Sequence, residues 1–337
     1  LTRALISGIG GFVGSHLAEY LIERTTWDVY GMTRWRSPLD NLETLIPRIN
    51  AKDRVHLLYG DLRDTISVQR VVREAAPDFV FHLAAQSFPR TSFDAPIDTL
   101  DTNILGTTRL LDAVRQFCPQ AVVHVCSSSE VFGRVPKEKV PIGEECSFHP
   151  ASPYAISKVG TDLVGRFYAE AYGINTQTTR MFTTTGPRRG DVFAESSFAK
   201  QIAMIEAGLI PPVVKVGNLD SLRTIINVRD VVRAYHMVVT VNPVAGAYYN
   251  IGGVHTCTVG DILTALLEMS EQARYAAVEV DPERLRPIDA DLQIPDTRKF
   301  CGHTGWRPEI TFRQTMRELL SYWRAKVKQD GARVLQR

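Results

Sequence analysis

Along the first half of the chain, short apolar runs alternate with stretches whose apolar residues recur every three or four positions. Ala4–Ser7, Trp27–Met32, Val55–Tyr59, Phe79–Leu83, Ala121–Cys126 and Asn175–Phe182 are four to eight residues long, as buried strands are. Between them lie helical patterns, among them Leu17, Tyr20 and Leu21, the segment Thr99–Phe117 and the segment Ser152–Ala171. Six strand-helix alternations predict an α/β fold with a doubly wound parallel sheet. After residue 182 the rhythm breaks. Helices are expected over Phe193–Gly208, Asn227–Val239, Val259–Met269 and Phe312–Val327, strands over Val213–Gly217 and Tyr248–Ile251, and a polar loop over Arg284–Pro295. This division predicts one domain of residues 1–182, to which 224–252 return. A smaller C-terminal α/β lobe of 183–223 and 253–330 would face the sheet's carboxyl edge, with a ligand cleft between the two.

The loops after the strands carry the candidate chemistry. Gly8, Gly11 and Gly14 form G-x-x-G-x-x-G between the first strand and its helix. Such a turn, with Phe12 and Val13 between its glycines, brings backbone N–H groups close to a pyrophosphate at the helix N-terminus. The second strand runs into Thr33-Arg34-Trp35-Arg36, without the acid that would hold a ribose 2′-hydroxyl. Arg34 suits a 2′-phosphate, which favours NADP over NAD. Asp61, beside Leu62, either contacts an adenine ring or caps the next helix. Leu83, Ala84 and Ala85 close the fourth strand with small residues that leave room for a flat ligand. The fifth strand ends in Ser127-Ser128-Ser129-Glu130, and Tyr154 and Lys158 follow four residues apart on one helix face. A lone Tyr-x-x-x-Lys pair is common by chance. Beside the serines and the glycine turn it reads as an acid/base pair, with the lysine charge expected to lower the phenol pKa.

Composition narrows the class further. A net charge of +2, with basic residues scattered over 337 positions, gives no reason to expect nucleic acid as partner. Five widely spaced cysteines form no Cys-x-x-Cys pair and no metal-ligand pattern, so reduced thiols in a cytoplasmic protein are expected, with no metal site. No run of 18 apolar residues marks a membrane span, and no signal peptide is read at the N-terminus.

Together these pieces resemble the extended short-chain dehydrogenase/reductase family, whose Rossmann domain binds the dinucleotide, and within it the nucleotide-sugar enzymes. The segments Ala84-Ala85-Gln86-Ser87-Phe88, Ser128-Ser129-Glu130, Ser152-Pro153-Tyr154, Pro187-Arg188-Arg189-Gly190, Gly217-Asn218-Leu219-Asp220 and Thr304-Gly305-Trp306-Arg307-Pro308 look like the GDP-mannose 4,6-dehydratase family. Phe198-Ala199-Lys200-Gln201-Ile202 and Arg229-Asp230-Val231 look as much like the GDP-4-keto-6-deoxymannose reductases. The resemblance implies that Ser128, Tyr154 and Lys158 act at hexose carbon 4, and Glu130 at carbons 5 and 6. It also implies substrate contacts from Ser87, Ser129, Thr183 and Arg188, and a nucleotide diphosphate held by Arg223 and Arg286. In that family the helices of Thr99–Phe117 and Ser152–Ala171 pair across a two-fold axis, so a homodimer is implied. Departures fall on the sugar side: Thr183 and Thr184 stand where Asn-His is usual, Ser128 where threonine is, Phe132 where tyrosine is, and Thr224 follows Arg223 in place of Asp. A reductase, a 4-epimerase and a non-catalytic dinucleotide sensor remain alternatives to the dehydratase.

Overall fold

The computed structural model describes residues 1–285 and 291–334. Its centre is a seven-stranded, wholly parallel sheet of β1 (Arg3–Ser7), β2 (Asp28–Thr33), β3 (Val55–Tyr59), β4 (Phe79–His82), β5 (Val122–Ser128), β6 (Asn175–Met181) and β10 (Tyr248–Ile251). The strand order is β10-β6-β5-β4-β1-β2-β3. The chain therefore reverses direction between β1 and β4, and the crevice at that switch point opens at the strands' carboxyl ends. Ala4, Leu5 and Ile6 are fully buried, as a central parallel strand covered on both faces requires.

Helix Pro153–Tyr172 lies against β5 and β6 and has clear boundaries in sequence. Ser152 caps it by accepting from the Ala155 N–H at 3.0 Å, Pro153 opens its first turn, and Gly173 ends it at φ 69°. Its register on the sheet is fixed by an ion pair in the core. The Arg180 guanidinium of β6 donates to both carboxylate oxygens of Asp162, at 2.8 and 3.1 Å, and neither side chain is more than 1% exposed. Removing one partner of such a pair costs roughly 3–5 kcal/mol, because the other is left charged and dry.

The second lobe holds two small sheets. One has the order β11-β9-β13, from His255–Thr258, Leu222–Asn227 and Leu292–Gln293, with β7 (Thr184–Thr185) pairing to β9. The other pairs β8 (Val213–Val216) with β12 (Ala277–Val280). Helices Ala194–Glu206, Val259–Leu267 and Phe312–Asp330 cover its core. Helix Val228–Thr240 packs back against the sheet domain, where Val231, Tyr235 and Val238 join the cluster around Leu17 and Leu21.

Several elements differ from the sequence expectation. The segment Thr99–Phe117 is helix over Pro96–Leu100 and Gly106–Phe117, joined by a π turn at Asp101–Leu105. Strands β7, β9, β11 and β12 carry no clean alternation and were not expected. The expected loop Arg284–Pro295 contains β13, whose pairing comes from β9 rather than from its own two residues.

Candidate active site

The cleft between the lobes has a volume of about 1320 Å³ and runs from the glycine turn to the second lobe. At one end Gly8 adopts φ 76°, and a Cβ there would stand 2.9 Å from Ala84 Cα. A Cβ on Gly14 would come within 2.3 Å of the Gly8 carbonyl oxygen. Helix Phe12–Arg24 begins at Gly11 with no side-chain cap, so its first N–H groups are left for a ligand. Gly11, Phe12, Val13, Arg34, Asp61, Leu62, Leu83, Ala84 and Ala85 line the same end. Asp61 does not cap the helix that follows. Its carboxylate accepts from the Arg63 backbone and guanidinium, which holds its pKa below the usual range, while Asp64 caps helix Thr65–Ala75.

At the middle of the cleft β5 delivers Ser128, Ser129 and Glu130 beside Tyr154 and Lys158. The Ser128 hydroxyl acts on the Tyr154 phenol, and Ser128 Oγ accepts from the Glu130 N–H at 3.2 Å. Burial pushes the Tyr154 phenol above its ordinary pKa; the Ser128 hydrogen bond and the Arg189 charge pull it back only in part. The expected lowering by Lys158 is not seen, because burial of the phenol dominates. Lys158 Nζ donates to the Cys126 carbonyl at 2.9 Å and lies 6.0 Å from the Tyr154 ring centre. Burial lowers the pKa of Lys158 itself.

Asn103, a residue that the sequence pattern left without a role, organises this region from the π turn. Its side-chain oxygen accepts from the Gln86 N–H at 2.8 Å, and its amide donates to the Gln86 carbonyl at 2.9 Å and to Ser157 at 2.8 Å. It thereby ties the loop after β4 to the helix that carries Tyr154. π turns are frequent at functional sites, but their hydrogen-bond shift leaves no mark in sequence spacing.

Ser87, Thr183 and Arg223 line the cleft as expected, and Arg286 lies outside the described residues. Arg188 is a correction. It adopts φ 70°, which turns its side chain away to Glu19, at 2.6 Å and 2.9 Å, and it does not line the cleft. Its neighbour Arg189 does. That guanidinium lies 3.3 Å above the Phe193 ring and pairs with Glu195. Gln293 of β13 and Tyr235, neither singled out from sequence, also reach the cleft.

A doubly wound parallel sheet, a glycine turn at an open helix N-terminus and a Ser-Tyr-Lys cluster after β5 define a dinucleotide-binding enzyme of the extended short-chain dehydrogenase/reductase class. Residues 5–319 match the family described as GDP-mannose 4,6 dehydratase, and the chain belongs to that family. It is 31% identical to the GDP-mannose 4,6-dehydratase of Yersinia enterocolitica serotype O:8, across 95% of this chain and 93% of that one. It is 30% identical to the GDP-6-deoxy-D-mannose reductase of Pseudomonas aeruginosa, across 97% and 99%. Among solved structures it resembles RMD from Pseudomonas aeruginosa complexed with NADPH, with a TM-score of 0.81 and 29% identity, covering 97% of this chain and 100% of that chain.

Proposed function

We propose that this chain is an NADP-dependent lyase that converts GDP-mannose to GDP-4-keto-6-deoxymannose. What carries the reading is the arrangement around Ser128: it lines one cleft with Tyr154 and Lys158, and Glu130, whose N–H donates to Ser128 Oγ, stands two residues on in the same cleft. One acid/base group for an oxidation and a separate carboxylate for an elimination are what a dehydratase needs.

The glycine turn would hold the pyrophosphate, Arg34 the 2′-phosphate, and the alanines after β4 the flat rings. The fit rests on the tight turn, where a Cβ at Gly8 or Gly14 would strike backbone, on the uncapped helix N-terminus it opens, and on the lack of an acid at the end of β2. Bound there, the dinucleotide would supply the hydride transfer at carbons 4 and 6. Ser128 holds the carbon 4 oxygen and Tyr154 takes its proton. Lys158 would add positive charge at the ribose, and it fixes the strand end through the Cys126 carbonyl. The 4-keto group then acidifies the carbon 5 proton, which Glu130 removes as water leaves carbon 6. Arg189 and Arg223 supply charge-assisted donors along the cleft for the sugar diphosphate. Around this centre we place residues 1–182 with 224–252 as the dinucleotide domain and residues 183–223 and 253–330 as the sugar-binding lobe. We assign the enzyme to the cytoplasm and to a homodimer.

The reductase reading has a relative of its own, so the test must separate the two. Incubation of the holoenzyme with GDP-mannose should give a keto-sugar by mass spectrometry with no net change in nicotinamide absorbance. Stoichiometric loss of NADPH with a 4-keto-6-deoxy substrate, and no product from GDP-mannose, would assign the reductase.

A further inference from the structure

Gln293 is buried to 1% exposure on β13, opposite Arg223 of β9, and lines the cleft. Among the described residues neither its amide nitrogen nor its amide oxygen has a hydrogen-bond partner. The other buried side-chain atoms without partners among the described residues belong to His124, Gln177, Thr178, Thr185 and Asn250, and none of these lines the cleft. A dry amide with both ends unmet destabilises the ligand-free protein, so such groups are rare where nothing will pair with them.

The amide's chemistry says what it fits. It offers donors on nitrogen and an acceptor on oxygen. A phosphate, which only accepts, would leave the oxygen unmet. Two neighbouring hydroxyls, each able to donate and accept, satisfy both ends. Its position points to the sugar. Two residues on, Pro295 and, beside it, Phe182 both lie over Gly252, and Phe182 follows Met181, the register partner of Ser128. Gln293 therefore reaches the cleft from the side of the reacting centre.

We infer that Gln293 is a specificity-determining residue that reads the two hexose hydroxyls left out of the chemistry, at carbons 2 and 3. The inference rests on the nucleotide-sugar reading above, since carbons 4, 5 and 6 are then engaged by Ser128, Tyr154 and Glu130. A site built to bond a hydroxyl rejects the analogue that lacks it far more strongly than an apolar pocket does.

Gln293→Leu tests this in the holoenzyme. Because these hydroxyls do not react, KM for GDP-mannose should rise about tenfold or more with kcat nearly unchanged. Affinity for GDP alone, measured by calorimetry, should stay at the wild-type value. The wild type should disfavour a GDP-2-deoxyhexose analogue, and the variant should not. The ligand-free variant should also melt at a higher temperature, since an unmet amide is replaced by an apolar group of similar size; a structural role would lower it. Unchanged KM and discrimination in the variant, with a wild type that converts GDP-mannose, would overturn the role of Gln293 alone. An equal loss of GDP affinity would move the contact to the nucleotide and overturn it as well. A wild type that neither binds nor converts GDP-mannose would overturn both this inference and the functional reading.

Discussion

At the scale of single residues, the division of labour between Tyr154 and Glu130 can be separated by experiment. Tyr154→Phe removes the group that accepts the proton of the carbon 4 hydroxyl, so cofactor reduction and product should both fall by about 10²–10⁴-fold. Glu130→Gln keeps size and polarity but cannot take the carbon 5 proton. Reduced nicotinamide should then accumulate in a single turnover with substrate in excess, read as absorbance, while deuterium from solvent enters carbon 5 slowly. Full turnover by Glu130→Gln would remove Glu130 from the chemistry. A second residue-scale expectation concerns Arg34, exposed at the cofactor end of the cleft. Calorimetric titration should show NADP bound more tightly than NAD, and Arg34→Ala should narrow the difference, because a 2′-phosphate contact is charge-assisted. The sequence made these residues visible because each sits at a strand end or a fixed helical spacing. It could not divide Arg188 from Arg189: two adjacent arginines look alike until the left-handed backbone at Arg188 sends one to Glu19 and the other into the cleft. Nor could it weigh the Lys158 charge against burial of Tyr154, since spacing fixes a helix face but not where an ammonium points.

At the scale of elements, β4 and β5 carry two buried histidines. His82 bonds Ser7 and Thr107, and His124 bonds Thr179. Burial lowers both to about 3, so both are neutral in the fold. Unfolded, each titrates near 6.5, so between about pH 6.5 and 3 the unfolded chain binds more protons than the folded one. Their contribution to stability is therefore complete above 6.5 and lost as the pH falls. Urea titrations from pH 7 to 4 should show stability declining, and His124→Gln should make the decline shallower; an unaltered slope would assign it to other groups. β1, β3, β4 and β5 were legible because each is a short apolar run beside a glycine, serine or alanine loop, and β2 and β6 because they continue the strand-helix alternation. The small strands β7, β9, β11, β12 and β13 were not, because their pairing is set by contacts distant in sequence.

At the scale of the whole molecule, one face of the sheet domain is left apolar. Ile156, Leu163 and Phe167 of helix Pro153–Tyr172 are each about half exposed, in one stripe, with Leu105 and Ile97 from the neighbouring segment. Such a patch on a single chain marks an association surface. Sedimentation should show a dimer at micromolar concentration, and Phe167→Glu should give monomers that still bind NADP. A wild type that sediments as a monomer would leave this stripe as surface alone.

The far edge of the sheet has a bearing on how the chain is made. β6 ends at Met181, but β10, which covers its outer side, begins only at Tyr248. At ~5–20 residues per second, synthesis leaves that edge bare for roughly 3–13 s. β6 reads Asn-Thr-Gln-Thr-Thr-Arg-Met, polar for a strand that finishes buried. Gln177 Oε1 and Thr178 Oγ1 find no hydrogen-bond partner among the described residues even in the finished fold. A hydrophilic edge discourages nascent chains from pairing with one another while the covering strand is still to come. Replacing Gln177 with Leu and Thr178 with Val should thus raise the melting temperature of the mature protein yet lower its soluble yield on refolding. A gain in both would mean that waiting for β10 places no demand on this strand.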